Sequence, residues 1–144
     1  MARLQDIIQW CDQTLIAHEF KDYAPNGLQI EGKSEVNKIL CAVTASQGAI
    51  EAAIAQGADL LLVHHGYFWK GEPYPITGMR GKRIKTLIQH DISLIGYHLP
   101  LDSHPALGNN AAIADLLELE NLEQLDPNER RPIGNIGYLK QAMT

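Results

Sequence analysis

Apolar positions open the chain at helical spacing. Leu4, Ile7, Ile8, Cys11 and Leu15 fall on one face, which predicts an amphipathic helix over residues 3–19. Pro25 blocks its continuation, and Asn26-Gly27 is turn chemistry. The pattern then shortens. "LQIEG" (28–32) reads as a short strand, and the β-branched, apolar "KILCAVTA" (38–45) as a second. A helix is predicted over 46–57, with Ser46 as its N-cap and Gly57 as its stop. "ADLLLVHH" (58–65) is a third strand, followed by a loop punctuated by Gly71, Pro73, Pro75 and Gly78. Residues 80–91 form a helix with Ile84, Leu87 and Ile88 on one face. "ISLIGYH" (92–98) is a fourth strand, 99–110 a loop and 111–120 a helix.

Helices alternating with near-continuous apolar strands predict an α/β fold with a mostly parallel four-stranded sheet covered on both faces. The remainder is polar and turn-rich. The domain reading is therefore an α/β repeat over 1–122, then a linker over 123–144 that leads into a further domain.

At 144 residues, with 45% apolar and 20% charged, the composition is that of a folded globular domain. No apolar run approaches the roughly 20 residues that span a bilayer. The start lacks a secretory pattern, so a cytoplasmic location is expected. Cys11 and Cys41 form no framework and read as buried thiols in a reducing compartment. A net charge of −5 argues against broad nucleic-acid binding. The charge is uneven, however. Lys70, Arg80, Lys82, Arg83 and Lys85 face only Glu72 between residues 64 and 90, while acids dominate 101–132. Two solvated faces of opposite sign would explain this, and so would an anion-attracting patch beside the histidines.

In open parallel sheets, ligands bind beyond the carboxyl ends of the strands. His64 and His65 end the third strand, His98 ends the fourth, and Asp102 follows in the next loop. Successive strand residues point to opposite faces, so an adjacent pair does not easily grip one ion. Either the backbone turns at Gly66, or each histidine serves a different ion. A two-metal centre, with ions about 3.5–4 Å apart, answers the second case. Imidazole and carboxylate ligands suit Zn, Fe, Mn or Ni. Each residue also has an ordinary alternative. The histidine pair could be a half-buried surface pair, Asp102 a turn residue, and His98 a strand-end histidine bonded to backbone. His104, before Pro105, reads as an exposed turn residue, and His18 and His90 face solvent. Tyr67, Phe68 and Trp69 either wall a pocket or pack the loop down.

"APNGLQIEG", "VHHGYFWKG" and "GYHLPLDSHPALGNN" together resemble the Nif3-like family, whose members are labelled GTP cyclohydrolase 1 type 2 homologues. The resemblance runs over about residues 4–120. It implies two similar α/β repeats, each a helix and strand followed by three strand–helix units with a mixed, mostly parallel sheet, two divalent metal ions per subunit where the repeats meet, and toroidal hexamers. By motif position, His64, His65 and Asp102 match metal ligands. His98 matches a site histidine behind the ligands or on the substrate, where it would transfer a proton. A hydrolase acting on a nucleotide or another phosphate-bearing substrate is implied, with a non-catalytic metal-binding or scaffold role as the alternative. The family's later H-x-x-x-E motif is not found by Thr144. The resemblance therefore implies a chain carrying about half of the metal shell, with the second repeat absent.

Overall fold

The computed structural model describes residues 1–142. They form two compact units, Met1–His98 and the residues from Leu99 onward.

The first unit begins with a two-residue strand β1 (Ala2–Arg3), then helix α1 (Leu4–Leu15). The helix stops at Ile16, whose left-handed backbone (φ 52°) is the usual way a helix reverses at its C-terminus. A single 3-10 turn, Ala17–Glu19, completes the span that the spacing assigned to one helix. Then come β2 (Gly27–Ile30), β3 (Glu35–Val36), β4 (Ile39–Thr44), α2 (Gln47–Ala55), β5 (Leu60–His65), α3 (Gly78–Gln89) and β6 (Ser93–Gly96). Strand β1 pairs antiparallel with β3. The Ser46 hydroxyl accepts from the Ala49 amide at 3.2 Å and caps α2.

The main sheet has the order β2-β6-β5-β4. Strands β4, β5 and β6 are parallel, and β2 runs antiparallel against β6. This is the mostly parallel four-stranded sheet that the alternation predicts, with the mixed character that the family resemblance implies. One face carries the main core, where Leu61, Val63 and Leu94 meet Ile50 and Ala53 of α2 and Ile84 and Leu87 of α3. Leu61, Leu87 and Leu94 are wholly buried, each worth about 1.5–3 kcal/mol relative to exposure.

The two cysteines divide. Cys11 is buried in α1, but Cys41 is exposed, which corrects the expectation of two buried thiols. The reason is the place of β4 at the sheet edge. Leu40 and Ala42 pack against the core, whereas Ile39, Cys41 and Val43 alternate onto the exposed face.

The second unit holds a short helix α4 (Leu99–Ser103), α5 (Asn109–Leu116) and an antiparallel hairpin of β7 (Leu119–Gln124) and β8 (Asn135–Leu139). Sequence spacing predicts helix through residue 120. The structure ends it at Leu116 and reverses at Glu118, which has φ 51°. The stretch read as a linker is thus largely a hairpin. Its residues are mostly exposed, so no burial alternation marked it as strand. The reading of the final residues as the start of another element extends to Met143 and Thr144, which lie outside the described residues. Among the described residues, no helix is long and apolar enough to cross a membrane.

Asp59 ties the entrance of β5 to the entrance of β4. Its carboxylate accepts from Lys33 Nζ (2.9 Å), Asn37 N (2.9 Å) and Lys38 N (3.2 Å). The Lys33 bond, aided by the two amides, holds its pKa below the usual carboxylate value. A lowered folded-state pKa gives stability above the unfolded value near 3.9, lost as pH falls through the folded one. Asp59→Asn should therefore cost about 1.5–3 kcal/mol in urea unfolding at pH 7. The gap to the unsubstituted protein should be smaller at about pH 3 than at pH 7, because this stabilisation is lost as pH falls from the unfolded value through the lower folded one. An equal gap at both pH values would refute the assignment.

Candidate metal centre

Three parallel strands bring three carboxyl ends to one rim. Thr44 of β4 lies opposite His65 of β5, and Val63 of β5 opposite Gly96 of β6. His98 follows β6 two residues beyond its end. The ring centroids of His64 and His65 are 4.4 Å apart, those of His64 and His98 5.0 Å, and those of His65 and His98 5.8 Å. One ring nitrogen from each of the three lies within 4.8 Å of the others. The doublet meets although both residues belong to β5; they are its last two residues, and Gly66 follows outside the strand.

Each imidazole is oriented through Nδ1. His64 Nδ1 lies 3.0 Å from the Tyr97 carbonyl, His65 Nδ1 3.2 Å from Thr44 Oγ1, and His98 Nδ1 3.0 Å from Asp22 Oδ1. A carbonyl or a carboxylate can only accept, so His64 and His98 donate Nδ1–H and carry their lone pairs on Nε2. Ligating histidines usually have this arrangement, in which the second nitrogen is fixed by a protein acceptor. The donor set is therefore suited to a divalent transition ion, and the three-histidine cluster could hold one.

Aromatic rings surround the cluster. Trp69 meets His98 edge-on at 4.9 Å and His65 at 5.9 Å, and Tyr23 meets His98 edge-on at 5.2 Å. The Trp69 indole donates to the Gly66 carbonyl at 3.1 Å, which fixes the ring. Tyr67 takes the other course. It is buried, and its hydroxyl donates to the Ala45 carbonyl at 2.6 Å, so it packs the loop onto the sheet. Burial pushes its phenol pKa upward. Phe68, between them, is partly exposed with a left-handed backbone.

Behind the cluster, burial and the neighbouring carboxylate push the Tyr97 phenol far above its usual range. It stays neutral and donates to Asp12 Oδ1 at 2.6 Å. The residue that orients His64 through its carbonyl is thereby anchored to α1.

Of the four residues expected from sequence, the structure gathers His64, His65 and His98 in the first unit. Asp102 lies in α4 of the second unit, where it accepts from Asn109 Nδ2 at 2.8 Å. His104 is the turn residue its Pro105 neighbour suggested, but it is half-buried rather than exposed, because its Nδ1 accepts from the Ala106 and Leu107 amides. His18 and His90 are exposed, as expected. Arg80 is committed to its own loop, bonding Glu72 and the carbonyls of Pro73 and Pro75. The sequence reading missed Asp22, Thr44 and Gln29. Asp22 and Gln29 flank "APNG", but turn chemistry there explained the segment without them.

Residues 2–144 match the family model described as Duf34/NIF3 (NGG1p interacting factor 3). The fold and a rim of converging histidines thus place the chain in a defined class, and it belongs to the Duf34/NIF3 family. It is 55% identical to a GTP cyclohydrolase 1 type 2 homolog of Haemophilus influenzae, over 96% of this chain and 55% of that protein. The homolog of the same name from Neisseria meningitidis serogroup B is 51% identical, over 100% of this chain and 57% of that protein. The chain spans about half the length of the curated relatives it matches. Among solved structures, protein ybgI, of unknown function, superposes with a TM-score of 0.83 at 50% identity, over 85% of this chain and 49% of that one. Reduced HcgD from Methanocaldococcus jannaschii gives 0.82 at 28% identity, over 96% and 55%.

Gln29 holds the histidine loop in place. Its Oε1 accepts from the Tyr67 amide at 2.7 Å, and its Nε2 donates to the Pro25 carbonyl at 2.9 Å. A Cβ on Gly66 would stand 2.1 Å from Gln29 Oε1. Gly66→Ala should push that amide aside and free Tyr67 N. Gly66→Ala and Gln29→Ala should each lose about 1–3 kcal/mol. Both should also raise amide exchange at residues 66–69, and unchanged exchange there would contradict this role for Gln29.

Proposed function

We propose that the chain supplies part of the metal site of a dinuclear, metal-dependent hydrolase acting on a nucleotide or other phosphate-bearing substrate. The observation that carries this reading is the convergence of three imidazoles on one sheet rim, each with Nδ1 engaged. His64 and His65 are the ligands in this proposal. Asp102 joins them on the strength of the H-x-x-x-D motif, as an oxygen donor. The names of the H. influenzae and N. meningitidis relatives support a nucleotide-directed reaction. A hexameric assembly belongs to the same proposal and rests on the resemblance.

Divalent ions bound there would supply Lewis acidity and lower the pKa of water from 15.7 towards about 7. The protein's own groups do the rest. His64 and His65 would hold the ions through rings oriented by Tyr97 and Thr44. His98, sheltered by Tyr23 and Trp69, exchanges a proton with the reacting group through Nε2. Exposed Lys70 and Lys82 attract the phosphate portion, while Arg80 holds the loop.

The test is elemental analysis beside a hydrolysis assay on GTP, with this chain and with a protein of the relatives' full length. His65→Ala should lower retained zinc or manganese at least tenfold and lower phosphate or ring-opening products in parallel. Hydrolysis that survives with no bound metal would end the proposal. Stoichiometric metal without turnover would instead support a metal-binding or scaffold protein.

A further inference from the structure

Asp22 enters the site above only as the acceptor at His98 Nδ1, yet it is a carboxylate with a side chain only 3% exposed, and it has further partners. Its Oδ1 accepts from the Tyr23 and Ala24 amides at 2.7 and 3.1 Å and from His98 Nδ1 at 3.0 Å. Its Oδ2 accepts from Asn26 Nδ2 at 3.0 Å. Asn26 Oδ1 in turn accepts the His98 backbone amide at 2.8 Å. The three residues close a ring of hydrogen bonds in which every donor faces an acceptor.

We propose that Asp22, braced by Asn26, is a positioning residue that locks His98 in its Nδ1–H tautomer and so holds the Nε2 lone pair ready on the histidine rim. Two observations make this more than a buried ion pair. The His98 ring is confined by the edge contacts of Tyr23 and Trp69, so it cannot swing away to another acceptor. The orientation of Asn26 is also determined. Its nitrogen must face Asp22 and its oxygen must face His98 N, because the opposite flip would set donor against donor. The segment Asp22–Asn26, which reads in sequence as a turn, thereby orients a histidine 76 residues away. The proposal rests on the metal-site reading only for what the lone pair is used for, since the tautomer belongs to the protein itself.

The ring of bonds also yields a rescue experiment. Asp22→Asn alone would place an amide nitrogen against Asn26 Nδ2, two donors facing each other. The exchange Asp22→Asn with Asn26→Asp restores complementarity. The carboxamide then at position 22 still accepts from His98 Nδ1 through its oxygen, and its nitrogen donates to the carboxylate then at position 26. That carboxylate also accepts the His98 backbone amide. The negative charge moves from one residue to the other while the acceptor at His98 Nδ1 stays.

The imidazole nitrogens of His98 can be read by 15N NMR on the full 144-residue chain without metal. The tautomer is read on the alkaline plateau of a pH series, where the His98 shifts no longer change with pH. His98 should show a protonated-type Nδ1 and a lone-pair-type Nε2. Asp22→Ala should lose that pattern towards mixed or reversed shifts, and the Asp22→Asn, Asn26→Asp exchange should restore it. A wild-type Nδ1 signature retained in Asp22→Ala would overturn the proposal. So would a folded exchange variant with the alanine pattern. Should Asp22→Ala not fold, the exchange variant set against Asp22→Asn alone decides. Cobalt(II) titration of a protein of the relatives' full length addresses the metal reading separately, and no cobalt bound there beside a locked tautomer in this chain would remove that reading alone.

Discussion

The constraint on which the site depends is the parallel register of β4, β5 and β6. Parallel neighbours end on the same side, so Thr44, His65 and the turn after Gly96 come to one rim. The polar contacts of His64 and His65 follow from this. Thr44 reaches His65 because their strands are paired at that position. His64 reaches the Tyr97 carbonyl because β6 lies on the other side of β5. An antiparallel β5 would carry the doublet to the far edge and separate it from His98 entirely.

The antiparallel strand β2 makes a different contribution. Running against β6, it starts where β6 ends, with Gly27 opposite Gly96. The turn preceding β2 is thereby delivered to the same rim, and with it Asp22, Tyr23 and Asn26. Gly96 also lets Gln29 lie close over the sheet, since a Cβ there would stand 2.8 Å from its amide. The mixed sheet is thus functional in a simple geometric sense. Parallel strands supply the histidines, and the one antiparallel strand supplies the groups that hold His98.

Energetically the site is built on engaged polar groups within an apolar frame. Tyr97 is nearly buried, donates its hydroxyl to Asp12 and turns its carbonyl to His64. Tyr67 is likewise buried and bonds Ala45, while its amide is held by Gln29. Leaving one such buried group unpaired costs about 1–3 kcal/mol, which is a large part of the margin of a small domain. Rings held in this way keep their lone pairs aimed with no further rearrangement, the condition a metal ligand or proton carrier must meet.

Much of this was legible in the chain. Continuous apolar strands alternating with helical spacing required a mostly parallel sheet, and strand-end histidines had to lie at its carboxyl rim. His64, His65 and His98 follow from that rule alone, because the ends of parallel strands are local features of sequence. The hairpin of β7 and β8 was not legible, since exposed strands lack the burial alternation that marks a strand. Nor was the exposure of Cys41, which depends on β4 being the edge. Asp22 and Asn26 read only as turn residues. Their bonds to His98 join positions 76 and 72 residues apart, and pairing of that kind is fixed by which strand lies beside which, a choice that only the assembled sheet makes.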